Sequence, residues 1–580
     1  MTQGSGLSDA YTATLTRLKT QKGNKSALGL KVLMWVLYSE RPLKTEELRH
    51  ALGVELGSTD LDHENLPASR TLLASSLGLV TVEASSSTMR LVHFTLQEHL
   101  LSDSTLFHST HSEIAEVCLT YLNFQSVQDL PSTLLSAPVT LPLLEYASYY
   151  WGEHTRKEMT ENVKILALRL LNKFDEHVSA QLILLRYEKA FHWPHLDCHG
   201  GPIGFTGLHG IAFLGIAEIF PAVLEMKEWD VNAMDNASCT PLIWAAVIGH
   251  EDIVKMFLER GDVNPDLEAG IRRQTALLWA AEKGHERVVK VFLEREDVHP
   301  SPGSCLQALY SAAAWEREEV VKMLLEREDV NPNQIPTGHC CTPLEIAACN
   351  GYEGVVKIFL ERVHVNLNQG EALRRAVSNG HEGVVKILLE REDTNPNIAN
   401  THNVHTPLSY AGKGGYERMV KMLLDRNDIC IDIPDHENQT PLSWALSRGH
   451  DEIATMISDR AAIKSDTADP GNQESPPLWA GHEDGSMAEM ELRDDHSNAN
   501  IEDPSGQPAP PLVDPDAPEE LSGWEGPVPD SVNSIFPSTG RLALLRPFPC
   551  GLRSSGIPEV KLPLIQMILR QLSRSPPTSI

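Results

Sequence analysis

The sequence predicts a mainly α protein: a stacked helical solenoid, preceded by a helical region with one β-hairpin and followed by a disordered tail. Three observations lead there. Nearly identical helical stretches recur, as in TPLIWAAVIGHEDIVKMFLE from Thr240 and TALLWAAEKGHERVVKVFLE from Thr275. Ahead of them, amphipathic helices are interrupted by a single β-rich stretch, VTVEASSSTMRLVHFTL. Behind them, from Ala461 onward, the apolar periodicity stops.

The recurring units begin at Thr206, Thr240, Thr275, Gln307, Thr342, Glu371, Thr406 and Thr440, at intervals of 34, 35, 32, 35, 29, 35 and 34 residues. Within each, Leu follows two positions after the start, small residues such as Ala245 and Ala246 follow at five and six, and Gly stands at nine in seven of eight units. Glu316 is the exception. Thr caps the first helix, and Pro costs nothing at the first helical position. The Ala pair lets neighbouring units approach closely. Gly ends the first helix in a left-handed conformation. Stretches such as EDIVKMFLE carry an apolar stripe on a second helix, and DVNP, DVHP and DTNP favour a turn leading into an extended finger.

This grammar, T-P-L-x-x-A-A followed by G-H, resembles ankyrin repeats. The resemblance implies an ankyrin-repeat α-solenoid with β-hairpin fingers that binds other macromolecules and carries no catalytic residues. The signature His survives only as His209, and the short spacers before Gln307 and Glu371 imply abbreviated fingers there.

Trp244, Trp279, Tyr410 and Trp444 recur four positions after the unit start, where packing between neighbouring repeats competes with a ligand-stacking ladder. Lys255, Lys290, Lys322, Lys357, Lys386 and Lys421 recur at position fifteen, interleaved with acids, so a salt-bridged helix face is expected rather than a basic track. The stretches that differ most between units are MDNASC, LEAGIRRQ, IPTGHC, NTHNVH and PDHENQ, all at fingertips. Variable residues on a rigid scaffold are where a partner is expected. The candidate partner-binding residues are accordingly Asn236, Arg272, Arg273, His339, His402, Asn403, His436 and Glu437.

Residues 26–105 read as three helices and a β-hairpin wing, a winged-helix-like domain. A DNA-reading version needs a basic recognition helix, yet residues 40–70 hold seven acids against four bases, so a structural role is expected. Further amphipathic helices make a linker domain over 106–200, between an N-terminal segment at 1–25 and about eight repeats over 201–460. The run SERPLKTEELRHAL, RLVHFTLQEHLL and LLEYASYYWGEH, followed by ankyrin repeats, resembles the region after the NACHT nucleotide-binding module in fungal NACHT–ankyrin, NLR-like STAND proteins. In that family a winged-helix His senses the bound nucleotide, and His93 matches it. However, G-x-x-x-x-G-K-[ST] occurs nowhere, and AGKGGYER lacks both its first Gly and its Ser/Thr, so no nucleotide binding, cofactor or catalysis is expected of this chain.

Composition bounds the rest. Of a net charge of −30 over 580 residues, residues 461–530 supply half, with 17 acidic and 2 basic side chains in a Pro- and Ser-rich stretch that cannot offset chain entropy by burial. The last fifty residues invert the sign, with six bases against Glu559, and IPEVKLPLIQMILRQLSR has the pattern of a short amphipathic helix. Such an acidic chain is a poor partner for nucleic acid or anionic lipid. GLKVLMWVLY is too short to span a bilayer, and MTQGSGLSDAYTATL lacks the apolar core of a secretory signal. Nine cysteines, an odd number, suggest reduced thiols in the cytoplasm or nucleus. Neither His195, Cys198 and His199 nor His339, Cys340 and Cys341 has the spacing of a zinc site. Two functional readings stand at this point. One is a non-enzymatic protein-binding scaffold derived from a NACHT–ankyrin receptor but lacking its NTPase. The other is the ligand-sensing half of a signalling ATPase whose nucleotide-binding module lies elsewhere.

Overall fold

The computed structural model describes residues 4–103, 105–191, 201–268, 273–295, 300–361, 371–400 and 404–467. The disordered tail and its amphipathic end, His195, Cys198 and His199, and the candidates Arg272, His402 and Asn403 lie outside them.

Helix α1 (Gly4–Lys19) packs on α2 (Lys25–Tyr38), whose Val32, Leu33, Met34 and Trp35 are buried. Helix α3 (Thr45–Gly53) starts where the Glu47 carboxylate caps it, accepting the Lys44 N–H at 2.7 Å. The same carboxylate takes both ends of the Arg41 guanidinium at 2.8 Å. Helix α4 (Ser69–Ser75) leads into β1 (Val80–Glu83) and β2 (Thr88–Leu91), paired antiparallel with Val80 opposite Leu91 and Glu83 opposite Thr88. The β character of the stretch ends at Leu91. His93 caps the next helix, α5 (Phe94–Ser102), its Nδ1 accepting the Thr95 N–H, so FTL is helical.

The linker comprises α6 (Thr110–Leu122), α7 (Gln125–Gln128), α8 (Leu144–Lys157), α9 (Glu161–Leu171) and α10 (Val178–Phe191). Its core holds Tyr121, Phe124, Tyr146, Trp151 and Phe174, all fully buried.

Each repeat then supplies an inner and an outer helix. The inner helices are Gly207–Leu214, Pro241–Ile248, Ala276–Lys283, Pro302–Ala314, Pro343–Asn350, Ala372–Ser378, Pro407–Gly414 and Pro441–Ser447. Thr240, Thr275, Thr342, Thr406 and Thr440 cap theirs through the side-chain oxygen, and Thr206 shares a capping box with His209. Each such cap is worth about 1 kcal/mol. The fourth inner helix starts ahead of Gln307: Ser301 caps it and Pro302 opens it, which gives it 13 residues. The eighth outer helix runs Asp451–Thr467, past the point where periodicity fades. Ala245, Ala246, Ala280, Ala281, Ala347 and Ala348 are fully buried between neighbouring inner helices.

Glycines close the inner helices for two separate reasons. Gly215, at φ +70°, is in the left-handed region, and a Cβ there would stand 2.4 Å from the His250 ring of the next repeat. Gly249 faces His285 in the same way, at 2.5 Å. The exception, Glu316, adopts φ +60° regardless. Those His rings staple the repeats together. His250 Nε2 bonds the Phe213 carbonyl at 3.0 Å, His285 the Val247 carbonyl at 2.9 Å, and His381 the Cys349 carbonyl at 2.8 Å. Arg317 Nε donates to Glu282 at 3.1 Å and Asn350 Nδ2 to Ala314 at 3.1 Å. All five carbonyls lie at the same place, seven positions after a unit start. Burial holds His250 well below the ordinary value, at about 4, so it is neutral and keeps an N–H to donate.

Candidate partner-binding groove

The inner helices pack on one another along the array, and the fingers are bonded to them. The fingers are tight turns, closed where Asp235 N–H bonds the Cys239 carbonyl and Asp435 N–H the Gln439 carbonyl, each at 3.0 Å. Among the described residues, β1 and β2 form the one ladder of paired strands. Successive fingers are linked through asparagine. Asn232 Oδ1 accepts the Asn264 N–H at 2.8 Å while its Nδ2 donates to the Asp262 carbonyl at 2.7 Å, and Asn397 makes the same pair of bonds to Cys430 and Asp428. The bridging asparagines are not those of the DVNP and DTNP turns: Asn232 stands in DVNA, and Asn397 follows the Asn of DTNP by two positions.

Finger and helix meet through one device. Asp235 Oδ1 accepts the N–H groups of Ala237 and Cys239, and its Oδ2 accepts Trp244 Nε1–H at 2.7 Å. Asp435 repeats this with Glu437, Gln439 and Trp444 at 2.8 Å. In repeat 7 Asn400 takes the place of Asp, its Oδ1 accepting the His405 N–H at 2.9 Å and its Nδ2 lying 3.5 Å from the Tyr410 hydroxyl. Recurrence of the aromatic at position four therefore reflects, first, support of the finger. Trp244 is fully buried among Tyr187, Phe205 and Phe213, as the packing reading expected.

Towards the C-terminal end the same row opens. Tyr410 and Trp444 are half-buried. Lys413 Nζ lies 4.1 Å from the centre of the Trp444 ring and the Arg448 guanidinium 5.9 Å, while Arg374 stands 5.6 Å from Tyr410. His405 packs between Tyr410 and Trp444 and approaches Asp435 Oδ2 at 3.3 Å. The groove in repeats 6–8 therefore combines half-exposed aromatic faces with cations. Lys413 and Arg448 sit seven and eight positions after their unit starts, the first on the last turn of its inner helix and the second just beyond the end of its own, and variability at the fingertips gave no hint of them. Three of the six recurring lysines of the outer helices pair locally: Lys255 with Glu251 at 2.5 Å, Lys290 with Glu294 at 3.4 Å and Lys322 with Glu319 at 2.6 Å.

The fingertip candidates fall into unlike settings. His436 and Glu437 are exposed at the last finger, beside the Asp435–Trp444 device. His339 is exposed and stacks 3.9 Å from Tyr310, while its neighbour Cys341 is buried. Arg273 is 82% exposed in its side chain and pairs with Glu268, with a left-handed backbone at φ +49°. Asn236 faces inward instead: its N–H bonds the Ile203 carbonyl and its Nδ2 the Gly201 carbonyl, each at 3.0 Å, fastening the finger to the chain before repeat 1. His93 is exposed, between Val92 and Phe94, which are 45% and 65% exposed.

Compared with known protein families, residues 262–336, 336–400 and 373–469 match ankyrin repeats in three copies, and residues 238–268 match a single ankyrin repeat. Residues 15–115 match the winged helix domain of GPI inositol-deacylase. A search of curated proteins finds no match. The chain thus carries ankyrin repeats, which generally mediate protein–protein binding, behind a winged helix domain of the GPI inositol-deacylase type.

Proposed function

We propose that the chain is a non-enzymatic scaffold of the cytoplasm or nucleus that holds a protein partner in the groove of its repeats and takes no nucleotide. The observation that carries this reading is the half-exposed Trp444 flanked by Lys413 and Arg448, on an array whose first five joints are stapled. A rigid scaffold loses little entropy on binding, and a half-exposed aromatic with cations at its edge is a typical anchor. Buried free thiols at Cys118, Cys239, Cys305, Cys341 and Cys349 agree with a reducing compartment. The test is affinity capture with quantitative comparison of wild type, Lys413→Glu and Trp444→Ala. Partners of the groove should be lost from both variants, whose far-UV circular dichroism should match wild type. If every partner keeps its affinity for both, the groove reading falls.

One observation favours the second reading, a sensor half that works with a NACHT-type nucleotide-binding module. Val92 and Phe94 flank His93 with exposed apolar surface on the winged helix, where a docking module would cover them. Mapping the 5′ end of the transcript discriminates: an in-frame extension into a strand and P-loop favours the sensor half, and a start just before Met1 favours the scaffold.

A further inference from the structure

At the junction between the winged helix domain and the linker, three side chains with metal-binding atoms converge. Glu40 follows α2, His111 lies in the first turn of α6, and His154 lies in the last turn of α8. One ligand atom from each lies within 4.8 Å of the others. His111 Nδ1 and His154 Nδ1 face one another at 2.9 Å, and Glu40 Oε1 stands 3.9 Å from His154 Nδ1. Tetrahedral zinc, with bonds of about 2.1 Å, separates its ligands by roughly 3.3 Å. These distances straddle that value, so small side-chain rotations would bring all three onto one ion.

The surroundings match a metal ligand set. His154 is fully buried, and its far nitrogen, Nε2, lies 2.9 Å from the Tyr146 hydroxyl. That hydroxyl oxygen also accepts the Glu40 N–H at 3.1 Å. With Nε2–H donating to Tyr146, the lone pair of His154 Nδ1 is aimed at the point His111 Nδ1 also addresses. A second partner that fixes tautomer and ring orientation is the usual support of a metal-bound His. The one competitor is Lys157, whose Nζ contacts Glu40 Oε1 at 2.6 Å. A carboxylate has two oxygens, and one edge can remain with Lys157 while the other turns to an ion.

We propose that Glu40, His111 and His154 form a site for a divalent transition metal of the zinc type, with water as fourth ligand, clamping the winged helix to the linker. Imidazole nitrogen with a single carboxylate suits Zn²⁺ and Co²⁺ better than Mg²⁺ or Ca²⁺, which take oxygen ligands.

The experiment is titration of the full chain, stripped with chelator, with Zn²⁺ by calorimetry and with Co²⁺ by visible absorption, beside His111→Ala and Glu40→Gln. Both positions are at least partly exposed, so neither variant opens the core. Wild type should take up one equivalent, with the visible bands of four-coordinate Co²⁺. Each variant should lose at least the ~10–100-fold in affinity that disturbing even outer-shell partners costs. Saturating Zn²⁺ should raise the unfolding midpoint of wild type and leave His111→Ala unmoved. Failure to bind either ion overturns the proposal, and so does binding that both variants retain, which would assign it to the cysteines. In either of those cases the two imidazoles share a hydrogen bond alone.

Discussion

Repeats 2 and 8 carry the same device in opposite surroundings. In both, an Asp at the root of the finger accepts two backbone N–H groups and one indole N–H, with Trp bonds of 2.7 and 2.8 Å. Around Asp235 lies the aromatic cluster of Tyr187, Phe205, Phe213 and Trp244, and burial pushes its carboxyl up to about 6 against the hydrogen bonds that would lower it. Around Asp435 the array ends. Burial again opposes ionisation, but the bonds from Gln439, Trp444 and Glu437, with His405 nearby, prevail and hold it below the ordinary value. Identical local chemistry thus serves packing in the interior and leaves an aromatic face available at the end. A repeat's position in the array, more than its own sequence, decides which of its residues a partner can touch.

The largest expected effect separates the two tryptophans. Trp244→Ala should cost on the order of 3–5 kcal/mol, and Trp444→Ala roughly half that or less, in urea unfolding of the full chain. Equal losses would mean that repeat 8 is packed as tightly as repeat 2. Next come the glycines that end the inner helices. Gly249→Ala meets both the left-handed backbone and the His285 ring, and should cost about 2–4 kcal/mol. Gly449→Ala has nothing within 4 Å of its added Cβ and should show the backbone term alone, about 1–2 kcal/mol. The smallest effect is in pH. Because the carboxyl of Asp235 is raised in the folded state, its contribution is most favourable below the ordinary value and declines as pH rises from about 4 to about 6. Asp435 has the opposite sign: its contribution is present above the ordinary value and is lost on further acidification. Hydrogen exchange between pH 7 and 5 should therefore show protection rising at the repeat 2 finger and no gain at the repeat 8 finger.

What the sequence made legible was local. The Thr caps, Pro at the first helical position and the left-handed turn at Gly depend on neighbours a few residues away, and the Ala pairs, though they pack against the next repeat, recur with the period. The start of the fourth inner helix was obscured because aligning on Leu309 set the unit at Gln307, whereas its cap, Ser301, lies outside the period. Asn236 looked like free fingertip surface because variability alone cannot tell an exposed side chain from one bonded to Gly201 and Ile203, more than thirty residues earlier. Lys413 and Arg448 stand where their inner helices end, away from the variable fingertips, and only the fold sets them against Trp444. Glu40, His111 and His154 come from three separate segments, and only the fold brings them together.

The staples between repeats have a bearing on how such an array changes length over generations. Each donor is a side chain, but each acceptor is a backbone carbonyl, which any amino acid provides. Arg317 and Asn350 demonstrate that even the donor tolerates replacement, provided something long enough to reach the carbonyl stands near that position. A unit duplicated or deleted by recombination therefore meets a carbonyl its donor can reach, so long as the Gly that makes room for the incoming ring is kept. The joint is generic, so selection can alter the number and order of repeats, and with them the groove, while the means of stacking stays the same.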